Sequence, residues 1–371
     1  MKYRLFIVAL TGVLIAMLGV NSCKYKVSQD YRWNLPAGFP KPLLPSDNPM
    51  SDAKVTLGRH LFYDSKLSFN QQSACSTCHQ QAFAFAEERQ TSTGTTGKRH
   101  RRNSQTLVNV AYNGHLTWAH PGLKVIEQQV LIPMFSEGPI ELGITGHEQQ
   151  VLERFSLAPY PDLFYQAFGQ EQANFDHIVK ALASFVRSLL SFDSPFDRYA
   201  YGEDDSAMTD SAKRGMDLFF SEKLECFHCH GGFNFSQSSQ HENQRLDLSP
   251  FHNTGLYNEG GAGAYPELDQ GIKEITLKDS DMGRYRAPTL RNVAVSAPYM
   301  HDGSLQTLSQ VIDFYAAGGR EQGITSPLKS PFVQGFALNE QDKQDMLNFL
   351  KSLTDKRFLN NPQFAAPDKA G

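Results

Sequence analysis

The sequence predicts a mainly α protein made of two related units, with long ordered loops between the helices. Three observations predict it. Apolar residues recur at helical spacing in several stretches, few runs alternate with a period of two, and a ten-residue pattern occurs twice, once in each half of the chain.

The chain opens with Lys2 and Arg4 ahead of an apolar run from Leu5 to Val20, 16 residues long. That is short of the ~20 residues a bilayer-spanning helix needs. A basic start with a short apolar core reads as an export signal over residues 1–22. Cys23 follows Val20-Asn21-Ser22, which resembles a bacterial lipoprotein signal whose cysteine carries the lipid, although a smaller or apolar residue is usual in place of Asn21. An ordinary signal with an incidental cysteine is the alternative. Either way the mature chain is expected in the periplasm, an oxidising compartment, with Cys23 as its membrane anchor in the first reading. Residues 23–50 are proline-rich with little periodicity and read as a linker or wrapping arm.

The repeat comes next. Gly58-Arg59-His60-Leu61-Phe62-Tyr63-Asp64-Ser65-Lys66-Leu67 matches Gly215-Met216-Asp217-Leu218-Phe219-Phe220-Ser221-Glu222-Lys223-Leu224 at the glycine, leucine, phenylalanine, lysine and final leucine. Two copies of one unit place domains at about 51–200 and 201–356, with a tail over 357–371. In 174–192, Ile178, Leu182, Phe185 and Leu189 form one helical face; in 339–355, Met346, Phe349, Leu350 and Leu353 form another, with Asn339 as N-cap. Thr307-Leu308-Ser309-Gln310 reads as a capping box for a helix that Gly318-Gly319 stops. The stretches 91–104, 236–247 and 258–271 are polar or glycine-rich, and loops of that length are uncommon without a ligand to order them.

A formal charge of −4, from 35 basic and 39 acidic residues, argues against nucleic acid as a partner. Five cysteines in 371 residues is too sparse for a secreted disulfide scaffold. Four of them fall in Cys75-Ser76-Thr77-Cys78-His79 and Cys226-Phe227-His228-Cys229-His230. This is the pattern of c-type haem attachment, in which two thiols add to the porphyrin vinyl groups and the adjacent histidine ligates iron. Chance would supply about 0.002 such matches in a chain of this composition. A four-cysteine zinc site would need pairs closer than the 148 residues that separate these, and redox disulfides leave both histidines unexplained. The predicted architecture is therefore two cytochrome c-like domains, each with one covalent haem c. Haem loading and folding are expected to be coupled, because the porphyrin forms much of such a small core.

Further motifs carry a resemblance. Arg102-Asn103-Ser104, Glu127-Gln128-Gln129 followed by Pro133, Phe251-His252-Asn253-Thr254-Gly255, Arg286-Ala287-Pro288-Thr289-Leu290-Arg291-Asn292-Val293 and Ala297-Pro298-Tyr299-Met300-His301-Asp302-Gly303 accompany the two cysteine motifs. Over roughly residues 50–355 the chain resembles the bacterial di-haem cytochrome c peroxidase family, which includes the MauG branch. The resemblance implies that peroxide meets the N-terminal haem, above His79. Many family members have a distal histidine there; its position is Thr95 here, a poor iron ligand, which implies an open site as in MauG. His100, in a basic loop nearby, is the alternative ligand. The family's distal glutamine and glutamate map to Gln129 and Glu141, with Glu137 a competitor because the segment is two residues longer than usual. Peroxide cleavage needs a group that moves a proton between the two oxygens, and a carboxyl in an apolar pocket suits that task. Trp118 matches the tryptophan that relays electrons between the haems, although His120-Pro121-Gly122 departs from the usual Asp-Gly-Arg; core packing is its alternative role.

For the C-terminal haem, the sixth-ligand position, methionine in typical peroxidases and tyrosine in MauG, falls on Tyr315; Met300 and Met282 are the other candidates. A thioether ligand favours reduced iron, whereas a phenolate favours oxidised states. The resemblance also implies an inter-haem calcium held by the Asn103 side chain and the carbonyls of Ser296 and Pro298, hard oxygen ligands that suit this ion. The activity it implies is reduction of hydrogen peroxide with electrons from a cytochrome c-like or cupredoxin donor. A MauG-like enzyme that oxidises residues of a partner protein is the alternative within the family, and a di-haem electron carrier is the alternative outside peroxide chemistry. Since many family members are dimers, a homodimer is compatible with the resemblance.

Overall fold

The computed structural model describes residues 31–244 and 250–367. The export signal, Cys23 and the last residues of the 236–247 stretch lie outside them. No helix among the described residues is long and apolar enough to cross a membrane. In chain order the helices are α1 (Asp52–Tyr63), α2 (Cys75–Cys78), α3 (Ile126–Phe135), α4 (Glu148–Glu153), α5 (Tyr160–Phe168), α6 (Phe175–Ser188), α7 (Pro195–Tyr201), α8 (Asp210–Phe219), α9 (Phe227–His230), α10 (Lys273–Thr276), α11 (Leu308–Ala316), α12 (Glu340–Ser352) and α13 (Lys356–Leu359). Among the described residues the sheet content is one antiparallel pair, β1 (Phe251–His252) with β2 (Tyr285–Arg286). The mainly α expectation therefore holds, with long loops between the helices.

Four of the main helices start where the sequence supplies a side-chain cap. Ser51, Asn174, Thr209 and Asn339 accept from the backbone amides of Lys54, His177, Ala212 and Asp342 at the starts of α1, α6, α8 and α12. Each such bond satisfies an amide that the first helical turn leaves without a partner. Thr307 and Gln310 form the expected reciprocal capping box of α11.

The repeat has a geometric meaning. In the first half α1 packs on α6, and in the second α8 packs on α12. A Cβ on Gly58 would lie 2.0 Å from the Ala181 carbonyl oxygen, and one on Gly215 would lie 2.0 Å from that of Asp345. Both glycines thus let two helix backbones meet at a distance no side chain allows. The matched phenylalanines complete the same arrangement twice. Phe62, Phe85 and Phe185 have ring centroids 5.1–6.5 Å apart. Phe219, Phe235 and Phe349 have theirs 5.1–6.1 Å apart. All six side chains are buried, and each triad belongs to its own apolar core. A third, smaller core gathers Ala119, Phe251, Leu256, Tyr265, Met282, Tyr285 and Phe314.

Two segments tie the cores together. The described part of the arm sets Phe39 against Phe192, Tyr201 and Phe233, while Tyr112 donates to the Pro40 carbonyl at 2.8 Å. The segment read as a tail folds back over the first half as far as it is described. Phe358 enters the first core, and the carbonyls of Pro362, Phe364 and Ala365 accept from Arg59 and Tyr63 of α1. Its few apolar residues, Phe358, Leu359 and Phe364, were too sparse for periodicity to mark it.

Candidate functional site

Both cysteine motifs form a single helical turn, α2 and the start of α9, so that the histidine follows directly from a hydrogen-bonded turn. His79 and His230 each donate their backbone N–H to the first cysteine of their own motif, at 3.0 Å. The rings are anchored by Nδ1: His79 Nδ1 lies 2.8 Å from the Phe85 carbonyl oxygen, and His230 Nδ1 lies 3.1 Å from that of Pro288 and 3.3 Å from that of Phe235. A carbonyl acceptor requires the proton on Nδ1, which leaves Nε2 as a lone-pair donor for a metal. Burial lowers both imidazole pKa values, that of His230 to about 4, so the rings are neutral and ligand-competent. The four thiols are free, and burial raises their pKa values, to about 12 for Cys75 and Cys226 and about 11 for Cys229. These are not the activated thiolates of a redox-active C-x-x-C pair. Two anchored neutral imidazoles beside neutral paired thiols fit haem c at both positions.

Around the first motif the distal candidates converge in part. Glu141 faces the attachment site: its charge is close enough to raise the pKa values of both Cys75 and Cys78. Burial pushes the Glu141 carboxyl from 4.5 up to about 7. The Thr95 amide donates to the Glu141 carbonyl at 3.1 Å, which joins the 92–97 loop to this segment. His100 is also brought here, with Nδ1 3.8 Å from Glu141 Oε1. Glu137 is exposed. Gln129 sits on α3, one turn before Pro133, whose carbonyl accepts from the Leu142 amide at 2.9 Å. Its Oε1 is buried without a hydrogen-bond partner, an acceptor held ready for a ligand. α3 is pinned by Glu127, which meets Arg187 of α6 at 2.8 Å and accepts from Asn48 of the arm at 2.7 Å.

The second motif opens onto a cavity lined by Cys226, Cys229, His230, Tyr315, Met300 and Trp118, with an apolar wall from α11 and α12. Tyr315 is close enough to both thiols for them to act on its hydroxyl, and burial holds its pKa above the ordinary value. Met282 is absent from this lining and is packed in the third core, where its carbonyl accepts from Asn253. Trp118 donates Nε1 to the Asn103 carbonyl at 2.8 Å, and its own carbonyl accepts from the Arg286 amide at 2.8 Å. Asn103, Ser296 and Pro298 border the same cavity. The Asn103 amide nitrogen donates to the carbonyls of Arg89 and Gln90, at 3.2 and 3.1 Å, so its side-chain oxygen is the atom left to act as a ligand.

Sequence reasoning missed a buried network beside this cavity. Arg102 pairs with Asp269 at 2.6 Å, Tyr285 donates to Asp269 at 2.8 Å, and His301 stacks on Tyr285 with centroids 3.6 Å apart. Burial lowers the His301 pKa to about 4, so it is a neutral packing ring. The motifs that contain Arg102 and His301 are legible, but Asp269 lies in a glycine-rich loop with no local signal of its partner.

The profile described as di-haem cytochrome c peroxidase matches residues 52–205. The chain is 33% identical over 357 residues to the cytochrome-c peroxidase IdrP1 of Pseudomonas sp. (strain SCT), covering 92% of this chain and 91% of that protein. It is 30% identical over 326 residues to the methylamine utilization protein MauG of Methylophilus methylotrophus, covering 87% and 88%. Among solved structures it is similar to a MauG-like protein associated with microbial copper homeostasis, with a TM-score of 0.88, 43% identity, and 91% and 99% of the two chains covered.

Proposed function

Since the chain belongs to the di-haem cytochrome c peroxidase family, we propose that it is an exported oxidoreductase that reduces hydrogen peroxide to water with electrons from a small cytochrome c or cupredoxin. The observation that carries the reading is the Glu141 carboxyl, partly buried near Cys75 and Cys78 with its pKa raised to about 7. A group of that pKa exchanges protons readily near neutral pH.

Haem c, held by Cys75, Cys78 and His79 and by Cys226, Cys229 and His230, supplies the electron-transfer chemistry when bound. The protein's residues supply the rest. The Glu141 carboxylate takes a proton from one peroxide oxygen and delivers it to the other, which leaves as water as the O–O bond breaks; two electrons from the donor protein and two solvent protons carry the remaining oxygen to a second water. Gln129 Oε1, without a partner of its own, accepts from the peroxide O–H and orients it. Thr95 offers no strong iron ligand, which supports an open binding position. Trp118 lines the cavity and is bonded to Asn103, which supports a relay role for it between the haems. Asn103, Ser296 and Pro298 border one cavity, and the Asn103 Oδ1 with the carbonyls of the other two would offer calcium the hard oxygen donors it prefers.

A MauG-like oxidation of a partner protein is the second reading, favoured by Tyr315 in the second cavity. Steady-state assays with reduced cytochrome c and peroxide separate the two. The proposal expects sustained peroxide-dependent oxidation of the donor; negligible turnover with a long-lived oxidised state of the enzyme would favour the second reading. Oxidised spectra that peroxide leaves unchanged would point to an electron carrier.

A further inference from the structure

Three arginines are buried among the described residues: Arg187, Arg286 and Arg291. Arg187 meets Glu127 at 2.8 Å and Arg291 meets Asp197 at 2.8 Å. Arg286, 3% exposed, has no carboxylate partner among the described residues. Its Nε donates to the Thr117 carbonyl at 2.9 Å and its Nη2 to Gln105 Oε1 at 2.6 Å, while Nη1 has no acceptor. The Gln105 amide that receives Nη2 is itself incomplete, because its Nε2 also lacks an acceptor. Two enclosed donors, one from each half of the chain, are thus left over at one place. Both residues border the cavity of Cys226, Cys229 and His230. Among the described residues, Glu225 is the one acidic residue of the lining, and no ion pair joins it to Arg286. A lone buried guanidinium is costly unless an anion compensates it, and burial alone lowers the Arg286 pKa to about 10.

We propose that Arg286, with the Gln105 amide beside it, is the anion-binding group of this cavity and that its ligand is a carboxylate carried by the prosthetic group, a propionate of the second haem. The inference rests on haem attachment at Cys226 and Cys229. It explains why this arginine can be buried without an acidic side chain: its counter-charge arrives with the haem. β2 holds Arg286 by pairing with β1, and its amide is fixed by Trp118, so the guanidinium is positioned before haem arrives. A cation held at the haem edge stabilises the reduced, less positive iron.

The test is a redox titration of the holoprotein that resolves both haems, with resonance Raman observation of the propionate bending band. In R286Q the potential of the second haem falls and its propionate band shifts; R286K retains most of the wild-type potential. An unchanged second-haem potential and band in haem-replete R286Q overturns the proposal and assigns a buried water as the missing acceptor. A shift confined to the first haem also overturns it. If R286Q does not retain haem, Gln105→Met is read in the same way: a smaller downward shift is expected, and no shift overturns the proposal. Wild-type peroxide turnover is measured separately, so failure of the peroxidase reading leaves this result standing.

Discussion

Replacing Glu141 by glutamine removes one ionisable group and nearly nothing else, so its consequences can be worked from the structure. Burial raises the carboxyl from 4.5 to about 7. For a fully enclosed group this corresponds to about 3 kcal/mol of stability withheld above neutral pH. The side chain is 35% exposed, and solvent screening reduces the figure to roughly 1–2 kcal/mol. The folded chain keeps this proton up to about pH 7, whereas the unfolded chain releases it near 4.5. Stability contributed here is therefore complete below pH 4.5 and is lost as pH rises through about 7. Glu141→Gln has no proton to lose, so it matches the wild type in acid and exceeds it by roughly 1–2 kcal/mol at pH 8, read by denaturant unfolding of the holoprotein. Activity moves the other way. Losing the proton shuttle costs on the order of 10²–10⁴-fold in peroxide turnover. The wild-type rate rises with pH as Glu141 ionises, with its acid limb near the raised pKa, and the variant lacks that limb. Glu137→Gln, at an exposed position, changes neither. Wild-type turnover and an intact acid limb in Glu141→Gln would refute the reasoning, as would a comparable loss in Glu137→Gln.

Two other substitutions separate ligation from packing. Tyr315→Phe alters the optical and electron paramagnetic resonance spectra of the second haem alone; an unchanged spectrum would transfer the ligand role to Met300, which lines the same cavity. Gly58→Ala and Gly215→Ala each drive a methyl group to 2.0 Å from a facing backbone oxygen. Each is expected to destabilise by about 1–3 kcal/mol, seen as a lower Tm in calorimetry; an unchanged Tm for either would mean the helix crossing does not depend on that close approach.

Local signals were legible and long-range ones were not. The capping residues Thr307 and Asn339 act within one helical turn, so a short window of sequence contains cause and effect. The repeated glycine was visible as a pattern, but its partners Ala181 and Asp345 lie more than a hundred residues away, and only the fold shows that it serves a helix crossing. The cysteine motifs point to the cofactor because covalent attachment would need residues at fixed spacing. The resemblance favours Glu141 over Glu137, and partial burial near Cys75 and Cys78 gives that preference a physical ground. Arg286 stands in a legible motif, but its lack of a carboxylate partner is a property of everything around it. Phe358, which crosses back to the first core, and Asp269, which anchors Arg102 and Tyr285, have no local signature at all.

The central claim is an open peroxide site at the first haem, with Thr95 in place of a ligand and His100 held toward Glu141, 3.8 Å from its carboxylate. The spin state of each haem, followed by electron paramagnetic resonance in the oxidised protein and after one-electron reduction, tests it most directly. The account predicts a high-spin haem at the first site in the oxidised protein, converted by a small added ligand. Two low-spin haems in both states, neither changed by added ligand, would contradict it.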